Sequence, residues 1–156
     1  MDINTLDDTD LQHLRAAIAL SRQAKAKGNG PYGAVAVGAD GRVLVEAEND
    51  QRSSGDCTGH AEMNAIRLAA RLGPRALAGA TLYASAEPCA MCAAAVFWSG
   101  AKRLVYALGS ERNYALLPPS DDELRLGCRE LLAHGRRAVE IVGPVLEDEA
   151  ARVFTD

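Results

Sequence analysis

The chain has 156 residues, a net charge of -4, 48% hydrophobic residues and 24% charged ones. That length fits one domain, residues 1–156, able to bury a core without disulfides, and the composition excludes a chain disordered throughout. The acidic balance speaks against a strong nucleic-acid binder, whose surface is usually basic, and the small clusters Lys25/Lys27, Arg71/Arg75 and Arg136/Arg137 read as solvated faces.

The acidic start, Met1 to Asp10, is expected to fray. Leu11, Leu14, Ala17 and Ile18 recur at helical spacing and predict a helix from about Thr9, a candidate N-cap, to Lys27. Gly28-Asn29-Gly30-Pro31 ends it. Gly33–Val37 and Arg42–Ala47 flank Gly38-Ala39-Asp40-Gly41 and read as a β-hairpin. Asn49–Cys57 is polar and reads as a surface loop. A helix over His60–Leu72 follows, with Asp56 or Thr58 as cap and Gly73-Pro74 as stop.

Thr81–Ser85 is the third strand. Pro88 then sits where a helix start tolerates proline, and that helix runs from Cys89 to Ser99, ended by Gly100. Arg103–Ala107 is the fourth strand, Ser110–Ser120 a loop, and Asp121–His134 a helix. Ala138–Val142 and Glu147–Phe154 close the chain as strand and helix. Alternating strands and helices predict a sheet covered on both faces, its later strands at least partly parallel.

No secretory signal is visible, because Met1 is followed by acid, and no stretch is apolar enough to span a membrane. A reducing cytoplasm is the expected compartment, where paired cysteines serve metal or redox chemistry more often than disulfides.

Two segments carry chemistry: Cys57-Thr58-Gly59-His60-Ala61-Glu62 and Glu87-Pro88-Cys89-Ala90-Met91-Cys92. Cys89 and Cys92 share a helix face near its N-terminus, where partial positive charge favours thiolates. Alone, the pair fits a metal site and a dithiol redox pair equally. A four-cysteine structural site is disfavoured, because Cys57 and Cys128 form no second C-x-x-C. His60 adds a third ligand and Glu62 a carboxylate beside it. Three ligands leave a fourth tetrahedral position open, and zinc there lowers the pKa of a bound water to about 7. Hydroxide formed there can attack an amidine-like carbon that bears an amino group, and a carboxylate such as Glu62 can pass the water's proton to the ring nitrogen and the departing ammonia.

His60-Ala61-Glu62 with Pro88-Cys89-Ala90-Met91-Cys92 resembles the H-x-E…P-C-x-x-C signature of the cytidine deaminase-like superfamily. Gly30–Val35, Asn49, Asp56–Ile66 and Thr81–Gly100 are similar to its guanine deaminase and tRNA adenosine deaminase branches. The resemblance implies a three-layer α/β/α sandwich with a mixed, about five-stranded sheet. It implies zinc on His60, Cys89 and Cys92, proton transfer by Glu62, and a homodimer joined through the zinc-site helices. It also implies that the Asn49 amide and the Ala61 backbone N–H contact the base, although a turn asparagine is the plain alternative for Asn49. Tyr32 stands where guanine deaminases usually carry phenylalanine and could wall a stacking pocket. Trp98 fits a substrate wall or a core or dimer contact equally.

The expected substrate is a free nucleobase, guanine first, with cytosine, isocytosine or a related aminated heterocycle as other options. Gly28–Tyr32 and Phe97-Trp98-Ser99-Gly100 resemble the base-specific branch, and the acidic end, Glu147 to Asp156, would repel phosphates. A tRNA adenosine deaminase is the alternative; a zinc-bearing module without catalysis is another, and Cys57 or Cys128 as fourth ligand would favour it. The sequence departs from the family at Cys57, usually proline and read here as a small packed cysteine. It departs at Gly59, usually alanine, and over Ser110–His134. Phe154 is a candidate to complete a partner chain's pocket.

Overall fold

The computed structural model describes residues 5–156. Of the stretch expected to fray, residues 1–4 lie outside these, while Asp7–Asp10 open the first helix, α1 (Asp8–Ala26). Its N-cap is Asp7, not Thr9. Asp7 Oδ1 accepts the Asp10 N–H at 2.8 Å, and the Asp7 N–H donates to Asp10 Oδ2 at 3.1 Å. This reciprocal cap satisfies two orphan donors where a lone Thr9 could satisfy one.

The expected hairpin follows as β1 (Gly33–Val37) and β2 (Val43–Glu48), paired antiparallel. The loop expected after it holds one turn of helix, α2 (Gln51–Ser54), and its first residue, Asn49, is buried. Helix α3 (Ala61–Ala70) is capped neither by Asp56 nor by Thr58, because the Asp56 carboxylate is taken by the Thr58 N–H and hydroxyl at 2.8 and 2.7 Å. His60 stands at the N-cap itself. Strand β3 (Thr81–Ala86), helix α4 (Ala90–Ser99) and strand β4 (Arg103–Leu108) come next. Gly100, at φ 84°, ends α4 in the left-handed conformation that glycine alone adopts freely.

The C-terminal third departs from expectation. Ser110–Leu116 is a helix, α5, where a loop was expected. The helix expected over Asp121–His134 shrinks to α6 (Cys128–Ala133), and the stretch before it is irregular. Strand β5 (Glu140–Val142) and helix α7 (Glu147–Thr155) complete the chain.

The sheet order is β2-β1-β3-β4-β5, antiparallel from β2 to β3 and parallel from β3 to β5. Because side chains alternate along a strand, Ala34, Ala36, Leu82, Ala84, Leu104 and Tyr106 face one core with α3, α4 and α6. Val35, Val37, Tyr83, Val105 and Ala107 face the other, with α1 and α7. The result is the expected three-layer α/β/α sandwich. Ala61, Ala65 and Ala69 on α3 meet alanines of the sheet, so the helix that starts at His60 lies close against it. The loop after β3 delivers Cys89 as the N-cap of α4 and Cys92 in its first turn, and the two halves of the motif meet.

Candidate active site

His60 and Cys89 both sit at N-caps, with extended backbones at ψ 150° and 174°. That conformation turns each side chain out of its helix. His60 Nδ1 lies 3.5 Å from Cys89 Sγ and 3.4 Å from Cys92 Sγ, and all three ligand atoms lie within 4.8 Å of one another. Around tetrahedral zinc, the usual bond lengths place nitrogen and sulfur about 3.6 Å apart. The spacing and the donor set therefore fit zinc. Among the described residues this is the single such cluster. Cys57 is exposed, against the expectation of a packed cysteine, and Cys128 is buried under α6; neither joins the three.

Hydrogen bonding with Cys92, helped by His60, holds the Cys89 thiol down at about 4. The same hydrogen bond, with burial, pushes Cys92 up. His60 is raised by its hydrogen bond to Cys89. The thiolate favoured at Cys89 is the form in which cysteine ligates a metal.

Glu62 is 6% exposed, the second residue of α3 and beside this cluster. Burial pushes its carboxyl up, opposed by a hydrogen bond from its own backbone N–H. A cavity of about 800 Å³ opens in front, lined by Tyr32, Asn49, His60, Glu62 and Cys89 together with Asn113 and Tyr114. Ala61 is buried at the first position of α3. The Asn49 side chain is 2% exposed and exchanges hydrogen bonds with Gln51, at 2.9 Å to its side chain and 3.1 Å from its N–H. Tyr32 donates to Asn113 Oδ1 at 3.0 Å, and burial pushes its hydroxyl up to about 12, so it stays a donor.

Trp98 is not brought to this cavity. It is 82% exposed on α4, stacked edge-on against Phe97 at 5.2 Å. Trp98 follows Val96 by two residues, about 200° around the helix from the face that holds Cys92 and Val96. Phe154 packs edge-on against Tyr32 of its own chain at 5.9 Å. Asn113, Tyr114 and Glu87 escaped the reading of the sequence as cavity residues. Glu87 lay inside the quoted motif, whereas Asn113 meets Tyr32 across 81 positions with no local signal.

A three-donor pocket next to a sheltered carboxyl is the arrangement of a zinc hydrolase rather than of a redox dithiol. Residues 7–108 match the cytidine and deoxycytidylate deaminase zinc-binding region, and the chain belongs to that family. It is a hydrolytic deaminase acting on C–N bonds, and its cofactor is zinc. It is 39% identical over 152 residues to a probable cytosine deaminase of Schizosaccharomyces pombe, covering 96% of this chain and 93% of that one. It is 42% identical over 96 residues to the guanine deaminase of Bacillus subtilis, covering 60% of this chain and 61% of that one. A solved structure from work on A-to-I editing by tRNA:A34 deaminases superposes with a TM-score of 0.75 at 31% identity, covering 92% and 99% of the two chains.

Proposed function

We propose that the protein deaminates a free nucleobase or a related aminated heterocycle, with guanine the first substrate to test and cytosine and isocytosine next. The observation that carries this reading is the buried Glu62 carboxyl, which lines the same cavity as His60 and Cys89, two of the three clustered donors. His60, Cys89 and Cys92 hold zinc in this reading, and zinc when bound supplies Lewis-acid activation of water at neutral pH. Glu62 takes a proton from the attacking water and delivers protons to the ring nitrogen and the departing amine. Water adds oxygen at the amidine carbon, the C–N bond breaks, and ammonia leaves. Asn49 and the Ala61 N–H orient the base, and Tyr32 walls the pocket.

The rim supports a small neutral substrate over a polyanion. It carries Glu87, Glu111, Asp122 and Glu123 against Arg52 and Arg125, and Arg125 is paired to Glu123 at 2.6 Å. Phosphates along a nucleic acid would meet repulsion there. A homodimer is supported by exposed apolar side chains on and beside two helices that pack together, Leu68 on α3, Leu72 just past its end and Trp98 on α4.

The experiment is an ammonia-release screen over guanine, cytosine, isocytosine, adenine, their nucleosides and a tRNA anticodon hairpin. Turnover of at least one free base is expected. Turnover of the hairpin alone would overturn the reading in favour of a tRNA adenosine deaminase.

A further inference from the structure

Helices α5 and α6 begin in the same unusual way. Each has glycine at its N-cap, Gly109 and Gly127, with nearly identical backbones at φ -66° and ψ 150° or 149°. Glycine offers no side chain to satisfy the first amides of a helix, and both helices are short and intrinsically weak. One residue supplies what both lack. Glu87 Oε2 accepts the Ser110 N–H at 3.0 Å, and Glu87 Oε1 accepts the Cys128 N–H at 3.1 Å. Its own N–H is fixed to the Leu108 carbonyl at 2.7 Å. A Cβ on Gly127 would lie 3.4 Å from Glu87 Oε1, so the glycine also lets the carboxylate approach.

The chain between these two anchors, residues 110–128, contains no strand, and it supplies Asn113, Tyr114 and Leu126 to the cavity wall. Both carboxylate oxygens of Glu87 are occupied by backbone amides, so the side chain holds this wall rather than a substrate. We propose that Glu87 is a positioning residue: it fastens both ends of the segment 110–128 to the loop that carries Cys89 and so fixes the shape of the substrate cavity. This rests on the reading of that cavity as the deaminase site. Two adjacent functions meet in one motif: Cys89 and Cys92 for the cluster, Glu87 for the opposite wall.

Two variants test it from opposite sides. Glu87→Gln keeps the shape but turns one acceptor into a donor facing an N–H. Ser110→Pro removes one of the two amides at the first helical position, where proline is tolerated, and the extended Gly109 suits a following proline. Loss of a charge-assisted hydrogen bond should raise KM for the best base by about tenfold or more in Glu87→Gln, and by less in Ser110→Pro. kcat should stay within about threefold, since the reacting groups are untouched. Hydrogen exchange should accelerate over 110–128, zinc should remain at the wild-type level, and the double variant should be no worse than Glu87→Gln alone. A stability role without positioning would lower the melting temperature and leave KM unchanged. Unchanged KM and exchange in both variants, or zinc loss from Glu87→Gln with exchange unchanged, would overturn the proposal. If the wild type turns over no base, the functional reading fails, and the exchange data alone still decide whether Glu87 holds the wall.

Discussion

Gln has almost the shape of Glu but cannot take up a proton, so replacing Glu62 separates proton transfer from packing. Glu62→Gln should keep its zinc and lose turnover by about 10²- to 10⁴-fold, the usual worth of a positioned acid–base group. Zinc content by metal analysis and kcat on the best base check this together. Substantial residual turnover would remove Glu62 from its role. Cys89→Ala should do the opposite, lowering zinc occupancy because one of three donors is gone, and a normal zinc content would count against the ligand set. At this scale much of the site was legible. Ligand chemistry is written in residue types and short spacings, so His60, Glu62, Cys89 and Cys92 stood out as candidates; His60, Cys89 and Cys92 cluster, and His60, Glu62 and Cys89 line one cavity. Trp98 could not be placed, because the face a helical residue presents depends on neighbours the sequence does not show.

Elements with internal signals were legible too. The α1 stripe, the β1–β2 hairpin, α4 and its stop at Gly100 all lie close to where periodicity and turn residues put them. The misreadings at α5 and α6 share one feature. Whether α5 forms, and where α6 begins, is decided by amides that Glu87 accepts from 23 and 41 positions away. No window of local sequence contains that information. Packing of α1 on the sheet depends on a similarly distant contact. A Cβ on Gly33 would fall 2.3 Å from the Ala17 carbonyl oxygen and 2.8 Å from the Ser21 nitrogen, so backbone must move to admit it. Gly33→Ala should therefore cost about 1–3 kcal/mol, at the upper end because no flexible side chain can yield. Urea unfolding should show a lower midpoint with an unchanged slope; a neutral variant would mean that α1 is free to shift.

One ion pair ties the layers together. Asp10 of α1 meets Arg103 of β4 at 2.6 Å, with side chains only 8% and 11% exposed, and also accepts the Tyr83 hydroxyl of β3 at 2.6 Å. Arg103 reaches on to Glu140 of β5 at 3.3 Å. Burial works to raise the Asp10 carboxyl, but the hydrogen bonds from Arg103, Tyr83 and the Asp7 backbone outweigh it, and the group ends below the ordinary carboxylate range. Its folded form thus binds a proton at lower pH than its unfolded form does. The stability it contributes is complete above about pH 4, the unfolded value, and is lost as pH falls through the folded one. Removing the negative charge takes away the more buried of Arg103's two carboxylate partners and leaves it only the half-exposed Glu140; breaking a buried pair typically costs about 3–5 kcal/mol, here toward the lower end. Asp10→Asn should therefore unfold well below wild type at pH 7, and the gap should narrow as pH drops below about 4, where Asp10 of the unfolded wild type takes up its proton ahead of the folded form. Urea titrations of both proteins at pH 7, 5 and 3.5 read this directly, each with zinc content measured alongside so that acid release of the metal is not taken for loss of the ion pair. A gap that stays constant down to the lowest pH would mean that Asp10 is not ionised by this network, and that shape alone, not charge, joins α1 to the parallel half of the sheet.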